Sequence, residues 1–522
     1  MIRTAAFIAC LCVAAGASAA NTETCSTPLA PAAAPAVDTA ALDAYIQRGL
    51  REWKLPGVSV AVVKDGHPVY VKGFGTRSLR DGGTVDADTL FGMMSTTKAM
   101  TALALAMLVD EGKLGWDDPV IKHLPGFALS DPYVTRDLRV RDLLTHNSGL
   151  GNTDLLWARG DFDAHEIIAR LRGLPLSYPL RGGFAYQNVM YQVAGEVIGA
   201  ASGMPWADFV DARILRPLAM TRSYSTLARM QAARDGNVSA AHFEIDGKIH
   251  VIAESPVDAV PAAGAAWSSA ADTAKWLEFM LGDGCVGDKR LVSTANFHEL
   301  LKPQVMVPAG EFYPTAKLTQ PHWTSYGLGW FQQDYRGRFV AMHTGSMDGR
   351  TAIIGLMPDE RLGVYVFGNL DHAEFRHALM WKLFDAYTGA PARDWSQELL
   401  ALYGGMHADG KAAQAKQDAA RVRGTKPTHA LTAYVGTYRH PVYGDVTVTR
   451  AGTTLHLAMG PLPDNAGALQ HWHYDSFRVK LGDGRYGWNP VTFRPGADGG
   501  IAALRLFDDS SEALEFRRVA KP

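Results

Sequence analysis

The sequence predicts an α+β domain followed by a small antiparallel β-barrel or sandwich, on three observations. A nearly unbroken apolar run, Phe91 to Leu114, has the composition of a helix buried on all sides. Strand-like segments gather at the two ends of residues 41–390, where one sheet flanked by helices can collect them. After Pro427 the texture changes to short alternating strands separated by Gly and Asp turns.

At 522 residues the chain is too long for one compact core. A hydrophobic content of 47% and a charged content of 20% are those of an ordinary globular protein. The net charge of -2 leaves no basic excess to hold nucleic acid. Residues 1–19 read as a signal peptide: Arg3, an apolar run, then Ala17-Ser18-Ala19 as a small-residue cleavage site. The run is short for a bilayer span, so no stable membrane anchor is expected and the chain is expected in the periplasm or outside the cell. Cleavage would remove Cys10 and Cys12. Cys25 and Cys285 then pair in an oxidising compartment or remain two free thiols. Residues 20–40, rich in Ala and Pro, read as a tether.

The elements of residues 41–390 follow in order. A helix starts near Asp38. Val58 to Val63, the turn Lys64-Asp65-Gly66, and Val69 to Val71 form a hairpin. The buried helix comes next, with Gly112 as its stop. Val140 to Leu144 is a short helix and Thr145 to Gly149 a turn, which makes His146 a structural turn histidine. Further helices run from about Val189 to Ala201 and from Thr273 to Leu281, the second capped within Trp267 to Asp272. Tyr326 to Trp330 opens a β region with strands at Phe339 to His343, Thr351 to Met357 and Gly363 to Asn369. Residues 391–428 form a helical connector and residues 429–520 the barrel.

The candidate chemistry lies at the boundaries of these elements. Ser95 and Lys98 are three residues apart and share a helix face. Burial lowers the pKa of a lysine, and a neutral amine beside a hydroxyl is a base beside a nucleophile. Tyr186 supplies a phenol that can shuttle a proton. Asn188 can orient a substrate amide. His343-Thr344-Gly345 ends a strand and can line a cleft, with the glycine admitting substrate close to the backbone. Each residue has an ordinary structural role when taken singly. Their occurrence in this order describes an acyl-transfer site.

Ser95-Thr96-Thr97-Lys98, Tyr186-Gln187-Asn188 and His343-Thr344-Gly345 resemble the three motifs of penicillin-recognising serine hydrolases. The closer resemblance is to the class C β-lactamase-like group, of peptidase family S12 type. That group includes D-Ala-D-Ala carboxypeptidases, D-aminopeptidases and esterases. Leu143 to Leu150 and Tyr326 to Trp330 resemble it too. The resemblance implies a β-lactamase/transpeptidase-like catalytic domain with Ser95 as nucleophile and Lys98 and Tyr186 sharing the base role. It implies an oxyanion hole from the N–H groups of Ser95 and Ser346, substrate contacts from Asn188, His343, Thr344 and Gly345, and no cofactor or metal. The expected function is an exported serine hydrolase cleaving peptide amides, D-residue-containing and linearised cyclic peptides included. An esterase, a β-lactamase and a penicillin-binding protein that acylates without turnover are the alternatives. Histidine in place of the lysine usual in class C enzymes favours the peptidase, because a neutral imidazole holds a substrate carboxylate less firmly.

Residues 429–520 resemble a lipocalin-like domain through Tyr434 to Tyr438 and His471 to Phe477, which implies a barrel that shapes or covers the cleft. His471-x-His473-x-Asp475 looks like the start of a zinc motif, but Ser476 stands where the next histidine belongs. His372 to His377 and Asp508-Asp509 read as solvated surface.

Overall fold

The computed structural model describes residue 25 and residues 37–255, 257–507 and 514–520. The signal-peptide segment, most of the tether and Asp508-Asp509 lie outside the described residues.

Helix α1 (Thr39–Glu52) starts at Asp38, whose carboxylate accepts from the Ala40 and Ala41 amides. It is followed by β1 (Gly57–Lys64), β2 (His67–Ser78) and β3 (Gly82–Thr84). Further along come helices α2 (Lys98–Asp110), α3 (Val189–Ser202) and α4 (Ala270–Leu281). The sheet is completed by β4 (Val305–Met306), β5 (Thr324–Tyr326), β6 (Phe331–Tyr335), β7 (Arg338–Met347), β8 (Arg350–Met357) and β9 (Leu362–Gly368). Helix α5 (Phe375–Thr388) then crosses back and α6 (Trp395–Ala419) leads to the barrel. The sheet has nine antiparallel strands in the order β4-β5-β6-β7-β8-β9-β1-β2-β3.

The central strands β1, β8 and β9 are buried along their whole length, because helices cover both faces. Alternate residues of β1 enter two cores. Ala61 and Val63 join Trp276 and Leu277 of α4, while Val58, Val60 and Val62 join Phe375 and Leu379 of α5. Continuous apolar runs, rather than alternating ones, are the pattern such strands require. Helix α2 is buried from Lys98 through Leu108, packed between α3 and the helix Thr294–Leu301.

Three expectations need correction. Helix α4 begins at Ala270 rather than Thr273, since Ser269 is its cap and accepts from the Asp272 amide. The triplet His343-Thr344-Gly345 does not end a strand. Strand β7 runs on to Met347, and its pairing with β8 closes only at Met347 and Arg350. Of His372 to His377 only His372 lies on the solvated surface: Arg376 is 5% and His377 1% exposed. Phe375 draws the start of α5 into the core, and Glu374 neutralises the cation carried in with it, with an Arg376–Glu374 pair at 3.0 Å.

The barrel is closed, with eight antiparallel strands from Gly436–His440 to Leu514–Arg518. Its interior is filled by alternating residues such as Val446, Val448, Leu455, Leu457, Phe493 and Phe516. Cys25 and Cys285 are joined by a disulfide. His471 turns to the Tyr474 carbonyl, and the pairing register shifts between His471 and His473. Among the described residues no group of three or more His, Cys, Asp or Glu is placed to hold a metal, and no helix is long and apolar enough to cross a membrane.

Candidate active site

The short strand Phe91–Gly92 pairs with Trp267–Ser268 and delivers the chain to Met94. Met94 adopts a left-handed φ of 50°, a conformation that costs a non-glycine residue on the order of 1 kcal/mol. That turn starts the 3-10 segment Met94–Thr97, which carries Ser95 and runs directly into α2 at Lys98.

Lys98 has no exposed surface. Its Nζ lies 3.0 Å from Ser95 Oγ, 2.7 Å from Asn188 Oδ1 and 2.9 Å from the Ala263 carbonyl. Burial pushes its pKa down to about 7, with the Asp154 carboxylate pulling the other way. A neutral amine has two hydrogens and one lone pair. Asn188 and Ala263 present acceptors to both hydrogens, so the lone pair faces the Ser95 hydroxyl.

The Tyr186 ring stands 5.0 Å from Lys98 Nζ, and its hydroxyl lies close enough to Ser95 for the two side chains to interact. Burial pushes the phenol well above its ordinary range, so Tyr186 holds its proton. His146, with a φ of 58°, packs its ring 4.2 Å from that of Tyr186, and its Nδ1 accepts from the Gln187 amide. It is a buried turn residue behind the tyrosine. Asn188 faces two ways: its Oδ1 accepts from Lys98 and its Nδ2 donates to Asp154 Oδ1 at 3.0 Å.

The opposite wall is β7. His343 is pushed down to about 3 by burial, with Lys98 and Arg376 adding to the effect, so its imidazole is neutral. The Tyr313 hydroxyl accepts from the Thr344 amide at 3.0 Å and contacts its hydroxyl at 3.1 Å. Gly345 is required by proximity: a Cβ there would lie 2.3 Å from the Met93 carbonyl oxygen and 3.1 Å from the Ser95 amide nitrogen. Behind the strand, Arg376 donates to the Gly345 carbonyl at 2.5 Å and to Ser346 Oγ at 2.8 Å.

Ser95, Tyr186, Asn188, His343, Thr344 and Ser346 therefore line one cavity of about 390 Å³. Lys98 lies beneath it and Gly345 behind it. Three participants carried no sequence signal strong enough to find them. Asp154 follows the Thr145 to Leu150 turn closely, which is a hint only in hindsight. Tyr313 sits in an irregular segment, and Arg376 acts through a helix that arrives from the far side of the sheet.

The model of the Beta-lactamase family matches residues 42–387, and that of a domain of unknown function (DUF3471) matches residues 420–519. The chain belongs to the Beta-lactamase family and is a serine hydrolase of that family. It is similar to the unguisins hydrolase ungD of Aspergillus violaceofuscus, 28% identical over 81% of this chain and 80% of the relative. The ungD' hydrolase of Aspergillus campestris is 30% identical over 77% and 76%. Among solved structures, the octameric penicillin-binding protein homologue of Pyrococcus abyssi aligns over 92% of this chain and 100% of its own, with a TM-score of 0.61 and 23% identity. SurE with D-Leu aligns over 92% and 99%, with a TM-score of 0.51 and 21% identity.

Proposed function

We propose that this chain is an exported hydrolase of peptide amides, working through an acyl-enzyme on Ser95. The observation that carries the proposal is the buried Lys98 amine, 3.0 Å from Ser95 Oγ with its hydrogens directed elsewhere. Lys98 takes the serine proton as Oγ attacks the carbonyl carbon. The developing oxyanion is met by the N–H groups of Ser95 and Ser346, and Gly345 supports this by letting its strand lie against the Ser95 amide. Tyr186, still protonated, donates to the leaving nitrogen and regains a proton from Lys98. Water then attacks the ester, and Ser95 recovers its hydrogen.

Charge in the cavity supports an amide without a neighbouring carboxylate. Asp154 and Glu311 line it, and none of the described lining residues is a lysine or arginine. Arg376 is committed behind the strand. A carboxy-terminal dipeptide or a β-lactam, each bearing a carboxylate beside the scissile bond, would meet repulsion there. The relatives are named as hydrolases of unguisins, and the similar fold of SurE was solved with D-Leu, which lends weight to a substrate with D-residues. The Cys25–Cys285 bridge supports an oxidising compartment, and with it export.

A panel of L- and D-configured peptides, a short acyl ester and a chromogenic cephalosporin on the purified protein tests the proposal. Amide turnover that exceeds cephalosporin turnover and disappears in Ser95→Ala is expected. Efficient cephalosporin hydrolysis without peptide cleavage would overturn it.

A further inference from the structure

We propose that a bracket on the barrel rim, Asn465–Asp464–Arg485, ties the two lips of the cleft together and sets its width. The inference rests on the reading of the Ser95 cavity as the reaction site.

One lip carries Asp154 and Trp157, joined by a hydrogen bond from Trp157 Nε1 at 2.8 Å. The barrel seizes this lip immediately after Trp157. Asn465 Nδ2 donates to the carbonyls of Ala158 at 3.1 Å and Arg159 at 3.2 Å. Arg159, 1% exposed, returns a bond to the Asp445 carbonyl at 2.8 Å. The approach is close enough that a Cβ on Gly460 would lie 2.8 Å from the Arg159 carbonyl oxygen.

The other lip carries Ser346 and Met347 at the end of β7, with Val257 of a neighbouring loop. Asp348, the next residue, is a junction. Its Oδ2 accepts from Ser255 Oγ at 2.9 Å on the Val257 loop, from Arg485 Nη1 at 3.2 Å, and from the Tyr486 hydroxyl. Arg485 has only 4% of its side chain exposed, and its Nη2 reaches Asp464 Oδ2 at 3.1 Å. Asp464 is adjacent in sequence to Asn465, which holds the first lip.

One continuous polar path thus runs from the Trp157 lip through Asn465, Asp464 and Arg485 to Asp348 and the Met347 lip. The barrel is thereby a frame for the cleft, and Arg485 and Asn465 are positioning residues that never touch the reacting atoms. A substrate reaching both lips depends on their separation. A minimal ester that needs only Ser95 and the oxyanion donors does not.

The test uses the full chain carrying Arg485→Gln, Asn465→Ala and the milder Arg485→Lys. Arg450→Ala, an exposed barrel residue bonded to the Gly452 carbonyl, serves as control. The probes are D-Phe-D-Phe p-nitroanilide and p-nitrophenyl acetate. Each cut of the bracket is expected to raise KM for the anilide about fivefold with kcat nearly unchanged, to spare the acetate, and to be partly rescued in Arg485→Lys. Hydrogen exchange is expected to show residues 155–160 and 347–350 losing protection together in Arg485→Gln, while Ser346, held from behind by Arg376, keeps its protection. Parallel loss on both probes, or loosening confined to one lip, would overturn the bracket. Should neither probe be turned over by the unmodified protein, the functional reading fails and the exchange result alone decides the bracket.

Discussion

The two walls of the cavity are built by different means. The helix wall places Ser95 and Lys98 by a three-residue spacing that brings Nζ to 3.0 Å from Oγ, with Asn188 and the Ala263 carbonyl holding the amine. The strand wall places His343 to Ser346 by long-range contacts: pairing with β8, the Tyr313 hydroxyl and the Arg376 guanidinium behind it. In the proposed mechanism the helix wall holds the nucleophile, its base and one oxyanion donor, and the strand wall holds the other donor. On that reading the Ser95–Lys98 pair can survive damage that misplaces the Ser346 donor, and the reverse also holds.

Substitutions can separate these contributions. Ser95→Ala is expected to abolish turnover and covalent labelling by a fluorophosphonate, as read by activity assay and intact mass. Lys98→Ala and Tyr186→Phe should each lower kcat about a hundredfold or more, the scale of a lost general acid or base. Near-wild-type turnover in either would remove that residue from the mechanism.

On the strand wall, Gly345→Ala drives a methyl into the Met93 carbonyl, which is backbone and cannot swing aside. A kcat loss of about a hundredfold is expected, on the scale of a lost oxyanion donor. Ser95 should still bond Lys98, visible as an unchanged pH midpoint. Arg376→Gln leaves Glu374 buried without its cation and should destabilise by about 3 kcal/mol in a denaturant titration.

The smallest effect is the most diagnostic. Activity should rise with pH through a midpoint near the Lys98 value of about 7, as the amine loses its proton. The Asp154 carboxylate holds that value up, so Asp154→Asn should move the acid limb of kcat/KM to lower pH. A shift in the other direction would show that the limb belongs to another group. The same amine affects stability. Its folded pKa lies below its unfolded one, so the unfolded chain binds the extra proton between about 7 and 10 and stability rises across that window. Lys98→Met should accordingly stabilise the fold most below pH 7 and progressively less toward pH 10, as read by thermal melts.

Particular residues show how far the chain could be read unaided. The apolar run through α2 and the Val-rich β1 were legible because burial on all sides leaves no polar face, and composition records that directly. His146 was legible as a turn residue from its Asn-Ser-Gly neighbours. Arg376 was misread because a charged stretch beside histidines looks solvated until Glu374 is seen paired with it in the core. The end of β7 was misplaced because Gly345 reads as a terminator, whereas here it lets the strand pass against Ser95.

The sequence by itself determined the Ser95–Lys98 pair, the buried helix that holds it and the run of short strands that follows, since each follows from local spacing or periodicity, while closure of those strands into a barrel is a long-range pairing. Tertiary structure alone decided that Asn188 bridges Lys98 to Asp154, that Tyr313 and Arg376 brace Thr344 to Ser346, and that the barrel rim reaches Asp348. These contacts join residues from 30 to 138 positions apart. Their existence depends on which segments the packed sheet brings together, and no local pattern encodes that.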